Sequence, residues 1–345
     1  MYYLSDYIDF YKDSDIETVK WNIMDNLICT ILVYLPVNGF EQEKDLESFR
    51  VYAEQVEGEK HEGNMIPKAY QILKKIAGSV RYKDMVISDF INKRTNLTQF
   101  GAMTVRIKDV TVIVYKGTDH SLIGWIENFR ISYKYPTYTH KLAIDYMKKN
   151  IRFFQDQNIY VTGHSKGGNL AIVSAMETGN RIFKRIRKVY NFDGPGLRKE
   201  EYQSEKYQRL LGKLVNVIPE GSVVGMFLYN QDYKVVETAP GSVNDHYPDI
   251  WAMYGEYFVP AALSGISTKI HDNIINSMEK FSYNQLEQAF ESIFESLDQD
   301  YTSDFNLAPD TILPFIKNMR EVDSEIADDI YGIMKQLLWQ NGKEA

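Results

Sequence analysis

A serine flanked by two glycines lies in the run YVTGHSKGGNLA, where Gly163, Ser165 and Gly167 have the spacing GxSxG. When a strand enters such a turn and a helix leaves it, the serine hydroxyl stands at the edge of a sheet, and the glycines relieve backbone crowding. The apolar run Ile159 to Thr162 and the helical pattern Asn169 to Met176 provide the two flanks. We therefore predict that Ser165 is a nucleophile; the alternative is a serine that caps an ordinary helix.

An activated serine needs a general base, and histidine is the common one. The chain has six histidines, and enzymes with this type of turn carry the base after the serine and the acid. Only His246 and His271 follow Ser165. His246 lies in the loop VNDHYPDIW, whereas His271 begins an amphipathic helix. We predict that His246 is the base, and that His164, beside the serine, packs or bonds locally.

The acid that orients such a histidine is predicted at Asp193. This residue follows the apolar run KVYNF and opens the turn DGPG. Catalytic groups of open α/β sheets gather at the carboxyl ends of the strands, and an acid there fixes the imidazole tautomer. Asp232 and Asp245 are rivals, and an Asx turn ahead of Gly194 is the non-catalytic alternative for Asp193.

An oxyanion needs two hydrogen-bond donors. The first is expected to be the main-chain N–H of Lys166, the residue after the nucleophile. The second is expected to come from a loop that follows an earlier core strand. Lys116, Gly117 and Thr118 follow the apolar run Val110 to Tyr115. We predict that Thr118 offers both its main-chain N–H and its hydroxyl.

The elements that position these residues follow from the apolar pattern. The segments 102–107 and 110–115 predict a hairpin, and helices then alternate with strands, which is typical of a parallel sheet. The predicted helices are Leu142 to Phe154 and Ser165 to Thr178, and the predicted strands are Ile159 to Thr162, Arg187 to Phe192 and Leu214 to Ile218, with further extended runs at Tyr233 to Thr238 and Tyr247 to Met253. The fold class is therefore α/β, a mostly parallel central sheet flanked by helices.

Helical patterns surround this core on both sides in the sequence. Apolar spacing predicts a helix from Asp15, as its cap, to Leu35, and another from Ile66 to Ala77. Beyond Lys269 the pattern is helical only, with one apolar face at Leu286, Phe290, Ile293, Phe294 and Leu297 and another at Ile326, Ile330, Ile333, Leu337 and Leu338. We predict an N-terminal helical segment (1–80), an α/β core (81–268) and a C-terminal helical appendage (269–345).

Composition excludes several classes of protein. The 345 residues are 44% hydrophobic, enough for a large core, and 39 basic against 47 acidic residues give a net charge of -8. This charge repels a phosphate backbone, so no nucleic-acid partner is expected. The single cysteine, Cys29, fits a reducing compartment, and the N-terminus lacks a signal-peptide pattern, so we predict a cytoplasmic protein.

Membrane spans and metal sites are not expected either. The most apolar run, Leu27 to Val37, is shorter than the roughly 20 residues that cross a bilayer. The acidic clusters at 298–300 and 328–329 lack the spacing of a calcium loop, and no zinc-type spacing of histidine and cysteine occurs. We therefore predict neither a metal nor a cofactor.

Several motifs together resemble known lipases. The run VIVYKGTDHSLIGWIENF resembles the oxyanion loop of class 3 (fungal-type) lipases, and GHSKGGNLA resembles their nucleophile turn. With YNFDGPG, IPEGSVVGM and HYPDIW in this order, the chain from about Asp25 to Trp251 is similar to a family of uncharacterised bacterial lipase-like α/β-hydrolases, catalogued mainly as a domain of unknown function. The resemblance implies an α/β-hydrolase fold in which Ser165 and His246 act with Thr118 and Lys166.

The resemblance leaves the acid open. Class 3 lipases carry it after the next strand, where this chain has Glu220 and no aspartate, whereas pancreatic-type lipases carry it where Asp193 stands. Asp193 remains the prediction and Glu220 the reserve. This chain also has Lys116 where the lipase loop usually has arginine, and Asn128 where aspartate is usual. The side chain of Lys166, a leucine in fungal lipases, is expected to meet solvent or a carboxylate such as Asp119.

A lid is the last feature that the resemblance implies. Leu122, Ile123, Trp125 and Ile126 occupy the place of the lid helix of fungal lipases. A mobile helix here would open an apolar cleft and permit peripheral contact with a membrane. The alternative is a fixed helix that packs on the core.

These residues predict a serine hydrolase that cleaves carboxylic esters of small molecules or lipids through an acyl-enzyme. A thioesterase or amidase with the same triad is one alternative. The other is a hydrolase fold without catalysis, used for binding through the helical tail. Acyl length, head group and oligomeric state do not follow from the sequence.

Overall fold

A central sheet organises the computed structural model, which describes residues 1–56, 65–119, 121–240, 245–295, 300–304 and 328–329. Within these ranges eight strands lie side by side in chain order, antiparallel from the first to the fourth and parallel from the fourth to the eighth. They are β1 (Lys44–Asp45), β2 (Val86–Thr95), β3 (Thr98–Ile107), β4 (Val110–Tyr115), β5 (Asn158–His164), β6 (Ile186–Phe192), β7 (Leu214–Pro219) and β8 (Tyr233–Val236). A separate hairpin pairs β9 (Met253–Tyr254) with β10 (Tyr257–Phe258).

Helices cover the sheet and connect its parallel strands. In the described ranges they are α1 (Leu4–Tyr11), α2 (Ile23–Leu32), α3 (Leu46–Val56), α4 (Met65–Ile76), α5 (Leu122–Tyr133), α6 (Tyr138–Asn150), α7 (Lys166–Glu177), α8 (Asn180–Phe183), α9 (Lys199–Tyr202), α10 (Glu205–Leu211), α11 (Gly265–Glu279) and α12 (Tyr283–Glu295). The predicted α/β class and the mostly parallel sheet flanked by helices are confirmed.

Two apolar layers lie on opposite faces of the sheet because strand side chains alternate in direction. In β4, Val112 and Val114 join a core with α1, α2 and α4. Ile113 and Tyr115 join the other core, with α6 and α7. The N-terminal helices therefore share a core with the sheet, and β4 is buried on both faces, as its nearly continuous apolar sequence predicts.

Some predicted elements have different bounds. The helix expected from Asp15 to Leu35 begins only at Ile23, because Asn22 caps α2 by accepting a hydrogen bond from the N–H of Met24 (2.9 Å). The carboxylate of Asp15 instead closes a turn, where it accepts from the N–H of Glu17 and Thr18. The prediction of an extended run at 247–253 was wrong. A 3₁₀ turn occupies Pro248–Ile250, and of these residues only Met253 belongs to a strand.

The C-terminal segment contacts α5. Phe290 of α12 stacks on Phe129 and Tyr133, with ring centroids 5.2 and 5.5 Å apart, and Glu291 accepts two hydrogen bonds from Arg130. Leu297 lies outside the described residues, as do the five apolar residues of the other predicted face, Ile326, Ile330, Ile333, Leu337 and Leu338. No helix within the described ranges has both the length and the apolar character to cross a membrane.

Candidate active site

Ser165 joins β5 to α7 in a conformation that is rare for a residue with a side chain. Its φ is 58° and its ψ is -135°, outside the regions favoured by L-residues. The hydroxyl makes no capping hydrogen bond to α7, so the alternative of a simple helix cap has no support here. The side chain is largely covered, with 8% of the residue exposed. The backbone thus makes the sharp strand-to-helix turn that the GxSxG spacing predicts.

Two glycines make this turn sterically feasible. A Cβ on Gly163 would lie 2.1 Å from the carbonyl oxygen of Gly167, and one on Gly167 would lie 2.2 Å from that of Tyr115. Both clashes are with main-chain atoms, which a rotamer change cannot relieve. The turn therefore requires glycine at both positions, which agrees with the GxSxG spacing.

Asp193 lies at the carboxyl end of the neighbouring strand β6, at 1% exposure. Its Oδ2 atom is 2.6 Å from Nδ1 of His246. Its Oδ1 atom accepts hydrogen bonds from the hydroxyl of Ser222 (2.5 Å) and the N–H of Gly225 (3.0 Å). The carboxylate is thus held on one side by two donors and presents its other oxygen to the imidazole.

The other acids considered from the sequence make different contacts. Oε1 of Glu220 accepts from the N–H of Thr238 (3.3 Å), and the Thr238 hydroxyl, which can donate to one of them, lies 3.2 Å from Oε1 of Glu220 and 3.0 Å from Oδ1 of Asp245. Asp232 is exposed, with a positive φ of 52°. The structure therefore brings His246 to Asp193, the acid predicted from its place after β6.

His246 is also held through its main chain. Its carbonyl oxygen lies 2.8 Å from Nε2 of His164, and the two imidazole rings are 4.4 Å apart. Burial, with a smaller effect of nearby His246, lowers the pKa of His164 well below its usual range, so this ring is neutral. Because a carbonyl only accepts, the single ring proton is on Nε2. His164 thus bonds locally, as predicted.

Tyr34 extends this series of contacts from His164 to the predicted oxyanion loop. Its hydroxyl lies 3.0 Å from Nδ1 of His164, which must accept because the ring proton is on Nε2. The hydroxyl oxygen also lies against Gly117, where an added Cβ would be only 2.1 Å away from it. One buried tyrosine thus links the loop before Thr118 to the main chain of His246.

The loop after β4 passes directly over Ser165. A Cβ on Gly117 would lie 3.1 Å from Cβ of Ser165 and only 2.1 Å from the Tyr34 hydroxyl. The hydroxyl of Thr118 donates to Oδ1 of Asn128 (2.9 Å). Because a hydroxyl has one proton, Thr118 cannot donate that same proton to an oxyanion, and its main-chain N–H is the available donor.

Lys116 and Lys166 are both buried, at 6% and 1% exposure. Burial lowers the pKa of Lys116 to about 8, and its ammonium contacts Oδ1 of Asn92 (3.1 Å). The Lys166 side chain meets a carboxylate, one of its two expected partners, but this carboxylate belongs to Glu127 and not to Asp119. Its ammonium lies 2.7 Å from Oε2 of Glu127, because this carboxylate on α5 points into the same buried space.

The residues at the lid position form the first turn of α5. Leu122, Ile123 and Ile126 are buried and Trp125 is half-buried. Residues 300–304 run across this turn: the N–H groups of Leu122 and Ile123 donate to the carbonyls of Ser303 (3.1 Å) and Tyr301 (2.9 Å).

Sequence reasoning did not identify Tyr34, Gln99, Glu127 or Ser222 as site residues. Glu127 lies in the run GWIENF, but a single acidic residue in a helix is usually solvated. Its partner Lys166 lies 39 residues away in the sequence, so no local pattern joins the two residues.

The sheet, the serine turn and the groups at its carboxyl edge together define an α/β-hydrolase fold. A family model described as Mbeg1-like matches residues 76–295, well over half of the chain, and the chain belongs to that family. No curated protein sequence matches this chain.

Three lipases are among the solved structures similar to this chain. The crystal structure of M37 lipase has 17% identity and a TM-score of 0.38, over 58% of this chain and 67% of that chain. A Rhizomucor miehei lipase propeptide complex has 14% identity and a TM-score of 0.34, over 48% and 58%. A lipase from Rhizopus microsporus var. chinensis has 15% identity and a TM-score of 0.35, over 52% and 67%. Similarity at this level concerns the fold alone.

Proposed function

We propose that this chain is a serine hydrolase that cleaves carboxylic esters through an acyl-enzyme, with Ser165 as nucleophile. The observation that carries the proposal is the 2.6 Å contact between Nδ1 of His246 and the buried carboxylate of Asp193. It lies at the same sheet edge as the serine turn. An imidazole with a carboxylate on Nδ1 keeps its proton there, so that Nε2 is the nitrogen that can accept a proton as a base.

The reaction proceeds in two halves. Ser165 Oγ attacks the ester carbonyl while Nε2 of His246 takes its proton, and the carbonyl π electrons move to oxygen. The tetrahedral intermediate collapses with loss of the alcohol, which takes the proton from His246. Water then attacks the acyl-enzyme with His246 again as base, and releases the acid and Ser165.

The proposed oxyanion site lies at the N-terminus of α7. The N–H of Lys166 belongs to the first turn of this helix, where N–H groups have no partner within the helix and the helix dipole is positive. The N–H of Thr118, in the loop over Ser165, is the proposed second donor. Two such donors stabilise negative charge that develops only in the transition state.

The proposed substrate is a small-molecule or lipid ester, and the proposed compartment is the cytoplasm, which suits the buried thiol of Cys29. The expected mechanism uses no metal. Esters, thioesters and amides share this chemistry, so the leaving group must be found by experiment.

Hydrolysis of p-nitrophenyl esters of two to twelve carbons, with matched thioesters and anilides, tests the proposal. Wild type should release p-nitrophenol, and Ser165→Ala should reduce kcat by at least about 10³-fold. Ser174→Ala is the matched control, since Ser174 lies in the same helix and donates to the carbonyl of Ala171. Equal rates for wild type and Ser165→Ala would rule out the proposed nucleophile.

A further inference from the structure

The buried ammonium of Lys166 has three acceptors. It lies 2.8 Å from the carbonyl oxygen of Gln99, 2.7 Å from Oε1 of the same residue, and 2.7 Å from Oε2 of Glu127. An ammonium has three protons, so each has a partner. The residue that carries the proposed oxyanion N–H is therefore fixed at both its backbone and the end of its side chain.

Glu127 is the centre of this group of contacts. Its Oε1 accepts from the hydroxyls of Thr98 (2.7 Å) and Thr139, and its Oε2 accepts from Lys166 and from the N–H of Gln99 (3.2 Å). The side chains of Lys166 and Glu127 are 1% and 4% exposed. One carboxylate thus connects α5 with β3, α6 and α7 in a buried space.

Gln99 connects the two halves of the proposed oxyanion site. Its Oε1 accepts from Lys166, while its Nε2 donates to the carbonyl of Gly117 (3.3 Å), the residue before Thr118. The two proposed donors are on separate segments, the first turn of α7 and the loop after β4, and catalysis depends on their spacing within about 0.5 Å. A side chain that contacts both the Lys166 ammonium and the Gly117 carbonyl is placed to set that spacing.

We propose that Glu127 and Gln99 are positioning residues for the oxyanion contact, acting through the side chain of Lys166 and the carbonyl of Gly117. This inference rests on the proposed function. Without Glu127 the Lys166 nitrogen loses its counter-charge and one of its three acceptors, and we expect its side chain to shift from this position. Such a movement displaces the first turn of α7 and with it the Lys166 N–H.

The test measures kcat and KM for p-nitrophenyl butyrate with Glu127→Gln and Gln99→Leu. A displaced oxyanion donor weakens only the transition state, so kcat should fall about 10- to 100-fold for Glu127→Gln, with KM within about twofold. Gln99→Leu should lower kcat less. The control is Glu291→Gln, which removes the half-buried ion pair that Arg130 of α5 makes with α12, and should leave kcat unchanged.

The double variant Lys166→Met/Glu127→Gln distinguishes a displaced Lys166 N–H from an uncompensated buried charge, and it can be used if Glu127→Gln alone does not fold. It removes both charges of the Lys166–Glu127 pair, so its thermal unfolding should be close to that of wild type. Its kcat should nevertheless remain low. A folded double variant with wild-type kcat would overturn the inference, as would Glu127→Gln with wild-type kcat. A wild type without any acyl hydrolysis would overturn the proposed function as well.

Discussion

The Nε2 atom of His164 lies 2.8 Å from the carbonyl oxygen of His246, so the residue before Ser165 holds the loop that carries the proposed base. The two histidines are 82 residues apart in the sequence. Their contact joins the serine turn to the segment after β8 and fixes the backbone of the proposed base beside that turn.

The buried hydroxyl of Tyr34 supports this contact, because it donates to the other ring nitrogen of His164. Tyr34→Phe removes the donor to Nδ1 of His164 and the oxygen that lies against Gly117, which leaves a buried ring nitrogen without a partner. We expect kcat for ester hydrolysis to fall about tenfold and the free energy of unfolding to fall by about 1 to 3 kcal/mol. Steady-state kinetics and urea unfolding measure the two effects.

Tyr146→Phe is the matched control for Tyr34→Phe. The Tyr146 hydroxyl is also buried, where it bonds Thr104 and the carbonyl of Asp89. This variant should lose stability without losing kcat. Equal losses of kcat in the two variants would mean that Tyr34 supports only the fold.

Asp193 and Glu220 give opposite expectations as triad acids. Asp193→Asn replaces the acceptor of the Nδ1 proton by an amide and favours the wrong tautomer, so kcat should fall by about 10³- to 10⁴-fold. Glu220→Gln should keep kcat within about threefold, since Glu220 contacts Thr238. The proposed role of Asp193 fails if Glu220→Gln inactivates the protein and Asp193→Asn does not.

Lys116 makes the stability of the protein depend on pH. Burial lowers its pKa from 10.5 to about 8 in the folded state, so between these values the unfolded chain binds more protons and stability rises with pH. Below pH 8 both states are charged and the full burial cost remains. Lys116→Met should therefore raise the free energy of unfolding at pH 7 by about 2 to 3 kcal/mol, with little gain near pH 10.5.

Urea unfolding at pH 7 and pH 10 measures this difference. Lys166→Met is the control, since Lys166 has three acceptors and a counter-charge, and this variant should be less stable than wild type at both pH values. A Lys116→Met variant that is less stable than wild type at pH 7 would contradict the expected burial cost.

The parallel part of the sheet could be predicted because its strands are continuous apolar runs between helical patterns. The serine turn was predictable for a local reason: its glycines and flanks are adjacent in the sequence. β2 was missed because its register shifts between Ser88 and Ile91, with Asp89 at a φ of 53°, and this bulge breaks the alternation of a strand.

The supporting contacts of the site could not be predicted, because they join residues far apart in the sequence. Tyr34 is 130 residues from His164, and Glu127 is 39 residues from Lys166. A lysine of this kind appears solvated in the sequence alone, because its burial depends on a carboxylate that only the fold brings near.

Labelling with a fluorophosphonate, followed by mass spectrometry, tests the central claim most directly. Only a serine activated by a neighbouring base reacts readily with this probe. The account predicts one phosphonyl adduct on the tryptic peptide 153–166, at Ser165, which is absent in Ser165→Ala and strongly slowed in His246→Ala. A folded wild type that remains unlabelled, or that is labelled at another residue, would contradict it.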